Sequence, residues 1–293
     1  FKKTAEELMG HPATSKGAKE LSKELKEALK TEADILSGYL QKKDIYHFLE
    51  SLEEVIKQYR DISAKPASWF FSEFKEKSAV LLAQKHNLVD PIKRFMESPQ
   101  ADIYRGIFVF LKDNKPNLSC LDQEAVKALQ ELMVDENVYS GGKLKDAKAK
   151  LGLLEDQLKH AFNSEKEKAL AEIKPLYESL KAKSGGKQDM LDKIEAVYQK
   201  VSSLITEETT IPIISSHKTQ FVDHIYLELL NEIEAIQAPE GANKPRFKII
   251  NAKNLKPLFS KEIIESDADL DEYLQSLKEV FLTELGKGNR IRV

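Results

Sequence analysis

Apolar residues recur three and four positions apart along most of this chain, and that period constrains the fold more than any other feature. Residues 144–161 show it most clearly, with apolar side chains at Leu144, Ala147, Leu151, Leu154, Leu158 and Ala161. Narrow apolar seams on charged segments are typical of helices that pack against one another. The sequence therefore predicts a mainly α fold: a helical bundle, a long antiparallel coiled-coil-like hairpin and a small C-terminal β-α-β unit.

The composition suits solvated helices and limits the classes of partner. Charged residues make up 32% of the 293 residues, whereas glycine and proline number only 12 and 10. Basic and acidic residues nearly cancel, to a net charge of −3, which argues against a dedicated nucleic-acid-binding surface. DNA contact through a local basic patch stays open, but the net charge does not support it.

Cysteine usage and hydropathy indicate the compartment. Cys120 is the only cysteine, so a disulfide framework is excluded and a reducing cytoplasm is expected. Because Cys120 lies beside a predicted helix start, we expect its thiol to be partly buried. No apolar run approaches the roughly 20 residues of a membrane span, and no signal-peptide pattern is seen, so no membrane partner is expected. Since the sequence begins at Phe1 rather than Met, we expect a piece of a longer protein.

Three segments are predicted along the chain. Residues 1–140 form a helical domain, residues 141–238 a long helical hairpin, and residues 239–293 a small α/β unit. The core of the first segment is expected within residues 62–111. This stretch contains eight aromatic residues, Trp69, Phe70, Phe71, Phe74, Phe95, Tyr104, Phe108 and Phe110.

Local signals predict where several helices begin. A helix with Leu21, Leu25, Leu29, Leu36 and Leu40 on one face is followed by a second helix from about Asp44. Short helices are expected to begin at Pro91 and at Pro99, and another near Ser119 and Asp122. The insert "TTIPIISS" is expected to end the second arm of the hairpin, before a third long helix.

The tetrapeptide SGGK occurs twice, at residues 140–143 and 184–187. A nucleotide-binding loop would need G-x-x-x-x-G-K-[ST], but Leu144 follows Lys143 and Gln188 follows Lys187. We therefore interpret both copies as helix C-caps and turns, and the second as the tip of the hairpin. Pro175 is expected to kink the first arm. No ATP site is predicted in this chain.

The last segment is predicted to close on a paired strand. "APEGANKP" (residues 238–245) is interpreted as a linker, and "RFKII" and "RIRV" as parallel strands that flank a helix. That helix is expected to begin at Ser266 or Asp267 and to end at Gly286. The apolar face of the closing strand should lie on the helix residues Leu274, Leu277 and Phe281, with Arg290 and Arg292 on the other face.

Other candidate sites are weak. Asp267, Asp269 and Asp271 lack the glycine and glutamate of a calcium loop, so stabilisation of a helix N-terminus is the better interpretation. His217 and His224, which would share a helical face with Gln220 and Glu228, are too far apart for a typical metal pair. The run Trp69, Phe70 and Phe71 fits core packing better than a nucleic-acid stacking platform. We therefore assign no catalytic, cofactor-binding or metal-binding residue and do not expect this chain to be an enzyme.

Three stretches resemble one family. They are "KPASWFFSEF…LLAQKHNLVDPIKRFMESPQADIYRGIFVFL", the helical hairpin that follows it, and "DADLDEYLQSLKEVFLTELGKGNRIRV". Together, from roughly Ile62 to Val293, they are similar to the C-terminal part of the large P-loop ATPases of bacteriophage-exclusion (BREX) defence systems, of the BrxC/PglY type.

This resemblance implies a cytoplasmic ATPase whose ATP and Mg²⁺ site lies upstream of these residues. It implies partners among other BREX components, namely a methyltransferase and a phosphatase-like protein, or self-association. None of the catalytic residues of the ATPase core maps onto this sequence. The expected role is non-catalytic assembly within a phage-defence complex, and the alternative is a stand-alone helical scaffold or a DNA-contacting coiled-coil protein.

Overall fold

The protein is mainly helical, as predicted. The computed structural model describes residues 1–237, 248–259, 261 and 263–293, and this part contains one small parallel sheet. It divides into two compact units, residues 1–158 and 159–293. The division into three segments stays a prediction.

Eight helices and the first part of a ninth form the first unit. They are α1 (Lys2–Met9), α2 (Ala18–Leu40), α3 (Leu52–Ala64), α4 (Trp69–Ser72), α5 (Phe74–Gln84), α6 (Asp90–Met96), α7 (Pro99–Asp113), α8 (Gln123–Val134) and α9 (Ala147–Lys183). The predicted leucine face of α2 is buried as far as Leu36 and packs largely against α3. Ser98 caps α7 with its side chain, as the local signal indicates. Asp122 caps α8, whereas the predicted capping box would place Ser119 at the N-cap.

The helix expected from about Asp44 begins only at Leu52. A turn is followed by a 3₁₀ segment, His47–Ser51, and only then by α3. Tyr46, Phe48 and Leu49 are all buried, and three such close positions do not share one face of an α-helix. Burial of these side chains therefore takes precedence over the helical period.

The aromatic stretch is divided between two clusters. Trp69, Phe70 and Phe74 pack together near Phe1, whereas Phe95 and Tyr104 join aromatic residues from earlier and later in the chain. The members of this second cluster are Tyr46, Phe48, Phe95, Tyr104 and Tyr139. Core packing is thus confirmed for most of the stretch, but Phe71 is exposed.

The short helix α6 begins at Asp90 with Pro91 in its first turn, as predicted, but it is not separated from α5. The chain is helical from Phe74 to Met96, with a π-helical turn at Lys85–Val89 between α5 and α6. A proline inside an α-helix lacks an N–H donor and clashes with the carbonyl of the preceding turn. The wider π turn directly before Pro91 accommodates both effects, so the helix continues.

The second unit contains the rest of α9 and four further helices. These are α10 (Gln188–Glu207), α11 (Ile211–Gln220), α12 (Tyr226–Gln237) and α13 (Asp267–Gly286), with a second π turn at Phe221–Ile225. The second arm, α10, ends at Glu207 before the insert "TTIPIISS", as predicted, but the next helix, α11, begins within this insert and not after it. Its proline is at the start of the helix, where a missing N–H costs little.

α9 and α10 form the predicted antiparallel pair. The rings of Tyr177 and Tyr198 stack with centroids 4.0 Å apart, and Lys166 Nζ donates to the carbonyl of Thr206 over 2.7 Å. Apolar residues of both helices share buried clusters, among them Ala169, Ile173, Leu180, Met190, Ile194, Val201 and Ile205. α9 runs through Pro175, and a kink there stays a prediction.

The second SGGK lies at the tip of this pair. Gly185 and Gly186 have φ angles of 64° and 76°, a left-handed conformation that glycine adopts at little cost. Lys187 Nζ donates to the carbonyl of Ile236 (3.0 Å), and Gln237 Nε2 donates to that of Lys183 (2.5 Å). The tip is therefore attached to the end of α12.

A β-α-β arrangement ends the chain, as predicted. β1 (Ile249–Asn251) pairs in parallel with β2 (Arg290–Arg292), Ile250 opposite Ile291, and α13 connects them. The helix begins after Ser266 and ends at Gly286, as predicted, but Gly286 is its last helical residue and not its cap: Lys287 is the cap, and Gly288 (φ 81°) takes the left-handed conformation. The predicted linker 238–245 and the first two residues of "RFKII" lie outside the described residues.

The sheet is attached to α12 and to the π turn before it. Arg290 Nη1 lies 3.0 Å from Glu234 Oε1, and Arg292 Nη1 donates to the carbonyl of Val222 over 2.9 Å. The guanidinium of Arg292 also covers the Tyr226 ring at 4.8 Å. The arginine face of β2 therefore joins the terminal strands to the helical part of the second unit.

Candidate interaction surface

The N-terminus of α13 is fixed by a compact hydrogen-bonded group. Asp269 N donates to Ser266 Oγ (3.2 Å), and the Asp269 carboxylate accepts from Lys261 Nζ (2.6 Å) and from Glu265 N (3.1 Å). The bond from Lys261 is the main reason why the pKa of Asp269 lies below its usual value. This arrangement has the form of a reciprocal helix cap, so the carboxylate of Asp269 is already used within the protein.

One side of α13 is covered by the segment that precedes it in the sequence. Tyr273 makes an edge-to-face contact with Phe259, with ring centroids 5.6 Å apart, and Ser276 Oγ donates to the carbonyl of Leu258 (3.0 Å). Leu277 and Phe281 are half-buried. These contacts fix which face of the helix points outwards.

The apolar surface of α13 is wider than its covered side. Four leucines remain exposed: Leu270 (42%), Leu274 (50%), Leu282 (56%) and Leu285 (51%). At about 100° per residue, these four side chains fall within roughly 120° of the helix circumference. We call this set the leucine edge. The prediction that the closing strand covers the apolar face of α13 is therefore wrong for Leu274, because two three-residue strands are too small to cover it.

Carboxylates border the leucine edge. Asp267 and Asp271 lie among the leucines, and Glu272 and Glu279 follow on the side of Leu282; all four are exposed. In the described part of the chain no ion pair joins any of these four carboxylates. Lys278 is the one basic residue of α13, so the surface combines exposed leucines with an excess of negative charge.

The two SGGK lysines are engaged in structural contacts. Lys143 Nζ lies 2.5 Å from Asp135 Oδ2, and this bond lowers the pKa of the Asp135 carboxyl. Lys187 donates to the carbonyl of Ile236, as described above. The first copy lies in a turn with Gly141 and Gly142 at positive φ. Its first residue, Ser140, is six residues beyond the end of α8 at Val134, and not directly at the end of a helix as predicted.

The structure does not bring the two candidate histidines together on the assumed face. His217 lies in α11, whereas His224 lies in the π turn Phe221–Ile225, whose wider spacing breaks the α-helical register on which the pairing depended. Within the described residues, no group of three or more His, Cys, Asp or Glu side chains could hold a metal ion.

Two further candidates differ in exposure from the predictions. Cys120 is exposed rather than partly buried, because Leu121 takes the inward position before α8. Phe71 is exposed, while Trp69 is buried and donates its indole N–H to Glu73 Oε2 over 2.8 Å. Among the described residues, neither Cys120 nor Phe71 belongs to a group of side chains that could hold a metal ion.

Sequence reasoning missed the leucine edge, although a signal was present. The stretch from Leu270 to Leu285 contains more large apolar side chains than one covered face can accept. The sequence predicts only the closing strand as a cover, over Leu274, Leu277 and Phe281. Comparing the width of the apolar stripe with the size of the expected cover would have indicated an exposed apolar surface.

None of the described helices is long and apolar enough to cross a membrane. Searches of the curated proteins and of the solved structures found no match. A family model, described as the BREX ATP-binding protein BrxC alpha helical domain, matches residues 1–118.

The matched range includes the first of the three stretches on which the resemblance was based and begins earlier in the chain. The helical hairpin and the closing stretch lie outside it. The match to residues 1–118 suggests other BREX components as partners. Residues 1–118 therefore match a BrxC-like helical region of a BREX protein.

Proposed function

We propose that this chain is a non-catalytic assembly region of a BREX defence protein, which binds another component of the defence complex through the leucine edge of α13. The observation that carries the proposal is the exposure of Leu270, Leu274, Leu282 and Leu285 on one side of a single helix. Contiguous exposed apolar surface of this kind marks interaction sites. The family match at residues 1–118 supports a BREX complex as the setting.

The energetics agree with a docking role. Full burial of a leucine side chain contributes about 1.5–3 kcal/mol. Covering the exposed half of four leucines would therefore contribute roughly 3–6 kcal/mol, before the cost of ordering the partners is subtracted. This free energy is enough for a specific contact, to which other surfaces of the complex would add.

The assignment as non-catalytic is part of the same proposal. Lys143 and Lys187, the two lysines that most resemble a phosphate-binding loop, both contact groups within the protein. We propose that ATP and Mg²⁺ bind elsewhere in the parent protein and that this region acts in the cytoplasm. Self-association and DNA contact are the competing roles.

A pull-down with purified components tests the proposal. The tagged chain is mixed with the methyltransferase and with the phosphatase-like protein of its own defence system, at low and at high salt. We expect one of them to bind and the double variant Leu274→Gln/Leu285→Gln to lose most of that binding. Glutamine keeps the helix propensity close to that of leucine, so the helix should remain folded.

The matched control is Leu153→Gln, which removes a leucine that is also 50% exposed but lies on α9. This variant should bind like the unchanged chain. Binding that survives the α13 double variant, or that Leu153→Gln reduces equally, would show that the leucine edge is not the docking site.

A further inference from the structure

The charges around the leucine edge identify the kind of partner that fits it. Asp267 and Asp271 lie among the leucines and Glu272 and Glu279 beside them, whereas Lys278 is the one basic residue of α13 and also lies among the leucines. Lys261, which precedes the helix, interacts electrostatically with Glu272. The other carboxylates of α13 are already compensated: Asp269 by Lys261, and Glu284 by Lys287 at 2.7 Å. Among the described residues, the carboxylates of α13 that form no ion pair are thus concentrated on the outward side of the helix.

We propose that the occupant of the leucine edge is a basic amphipathic helix, one with an apolar stripe flanked by lysine or arginine. This inference rests on the proposed docking function and adds the chemistry of the partner. A helix that packs on α13 buries its apolar stripe against Leu270, Leu274 and Leu285, and its flanking cations then face the carboxylates. Charges at such flanking positions select the partner and its orientation.

A second copy of α13 fits this surface less well. In a parallel pair, Asp267 and Asp271 would each face the same residue of the second copy, and these like charges would repel each other. In an antiparallel pair centred on the edge, the Lys278 side chains of the two copies would approach each other. A negatively charged membrane surface or nucleic acid would be repelled by the same carboxylates.

Two dye-labelled peptides of about 20 residues, long enough for roughly six helical turns, provide the test. They share one leucine stripe, and the flanking residues are lysine in one peptide and glutamate in the other. A scrambled lysine peptide of identical composition controls for charge alone. Fluorescence anisotropy with the full 293-residue chain measures the dissociation constants.

We expect the lysine peptide to bind at least roughly tenfold more tightly than the glutamate peptide or the scrambled peptide. This preference should shrink at about 1 M salt, where the screening length falls to about 3 Å. Leu274→Gln/Leu285→Gln should weaken binding of the lysine peptide by roughly tenfold or more. Asp271→Lys/Glu279→Lys should reverse the preference between the two peptides.

Equal binding of the lysine and glutamate peptides would overturn the inference. So would a dimer in sedimentation velocity that Leu274→Gln/Leu285→Gln dissolves, because the occupant would then be a second copy. The two proposals can fail separately. If a purified BREX component requires the leucine edge while the peptides do not discriminate, the docking function stands and the basic partner is wrong.

Discussion

At the scale of single residues, Glu24 holds the loop between α1 and α2. Its two carboxylate oxygens accept from the backbone N–H groups of Thr14 and Ser15, each over 3.0 Å. These bonds lower the pKa of Glu24 from its ordinary value of 4.5 to about 2, and the bond from Thr14 makes the largest contribution. One charged side chain thus fixes a loop that contains few apolar groups of its own.

This pKa shift predicts an acid-dependent contribution to stability. Because the folded-state pKa is depressed, the contribution is fully present above about pH 4.5 and is lost as the pH falls towards about 2. Glu24→Gln should therefore lower the midpoint of thermal unfolding at pH 7, and this difference from the unchanged chain should shrink across that window. Glu27→Gln, on an exposed carboxylate of the same helix, is the control. A deficit of Glu24→Gln that stays constant down to pH 2 would contradict the assignment.

At the scale of elements, two glycines of the hairpin have different backbone conformations, so their replacement should affect stability in opposite directions. Gly186 lies at the tip with φ 76°, whereas Gly152 lies within α9 in an ordinary helical conformation. An added Cβ would meet nothing within 4 Å at either site. The two positions therefore differ in backbone conformation and not in available space.

This difference predicts opposite signs for the same substitution. Gly186→Ala should destabilise the chain by about 1–2 kcal/mol, because an L-residue is strained in the left-handed conformation. Gly152→Ala should stabilise it by roughly 0.5–1 kcal/mol, because alanine loses less conformational entropy in a helix. Urea unfolding of both variants measures the free energies. A Gly186→Ala variant as stable as the unchanged chain would mean that the tip is not held in the left-handed turn.

Elements with a regular period could be predicted, and elements decided by tertiary packing could not. The leucine face of α2, the Gly185–Gly186 tip and the parallel pairing of β1 with β2 all follow from local pattern and chain connectivity. The π turns could not be foreseen, because an insertion of one residue leaves no signature in the pattern of apolar residues. The late start of α3 depended on the burial of Tyr46 and Phe48 by residues distant in sequence.

At the scale of the whole molecule, the helical fold and the family could be anticipated, whereas the candidate site could not. Arg290 and Arg292 were expected on the face opposite the apolar one, and the structure shows what they contact there, namely α12 and the π turn before it. The leucine edge was missed because its exposure depends on how little surface the terminal strands cover. The exposure of these leucines depends on the complete tertiary structure, and no local sequence motif predicts it.

Hydrogen exchange with and without a purified partner tests the central claim most directly. The full chain is measured alone and in the presence of the BREX component that binds it in the pull-down. The account predicts slower exchange in α13, residues 267–286, and unchanged exchange in α10, residues 188–207. Protection that appears elsewhere in the chain while α13 exchanges as before would contradict the claim that the leucine edge is the docking site.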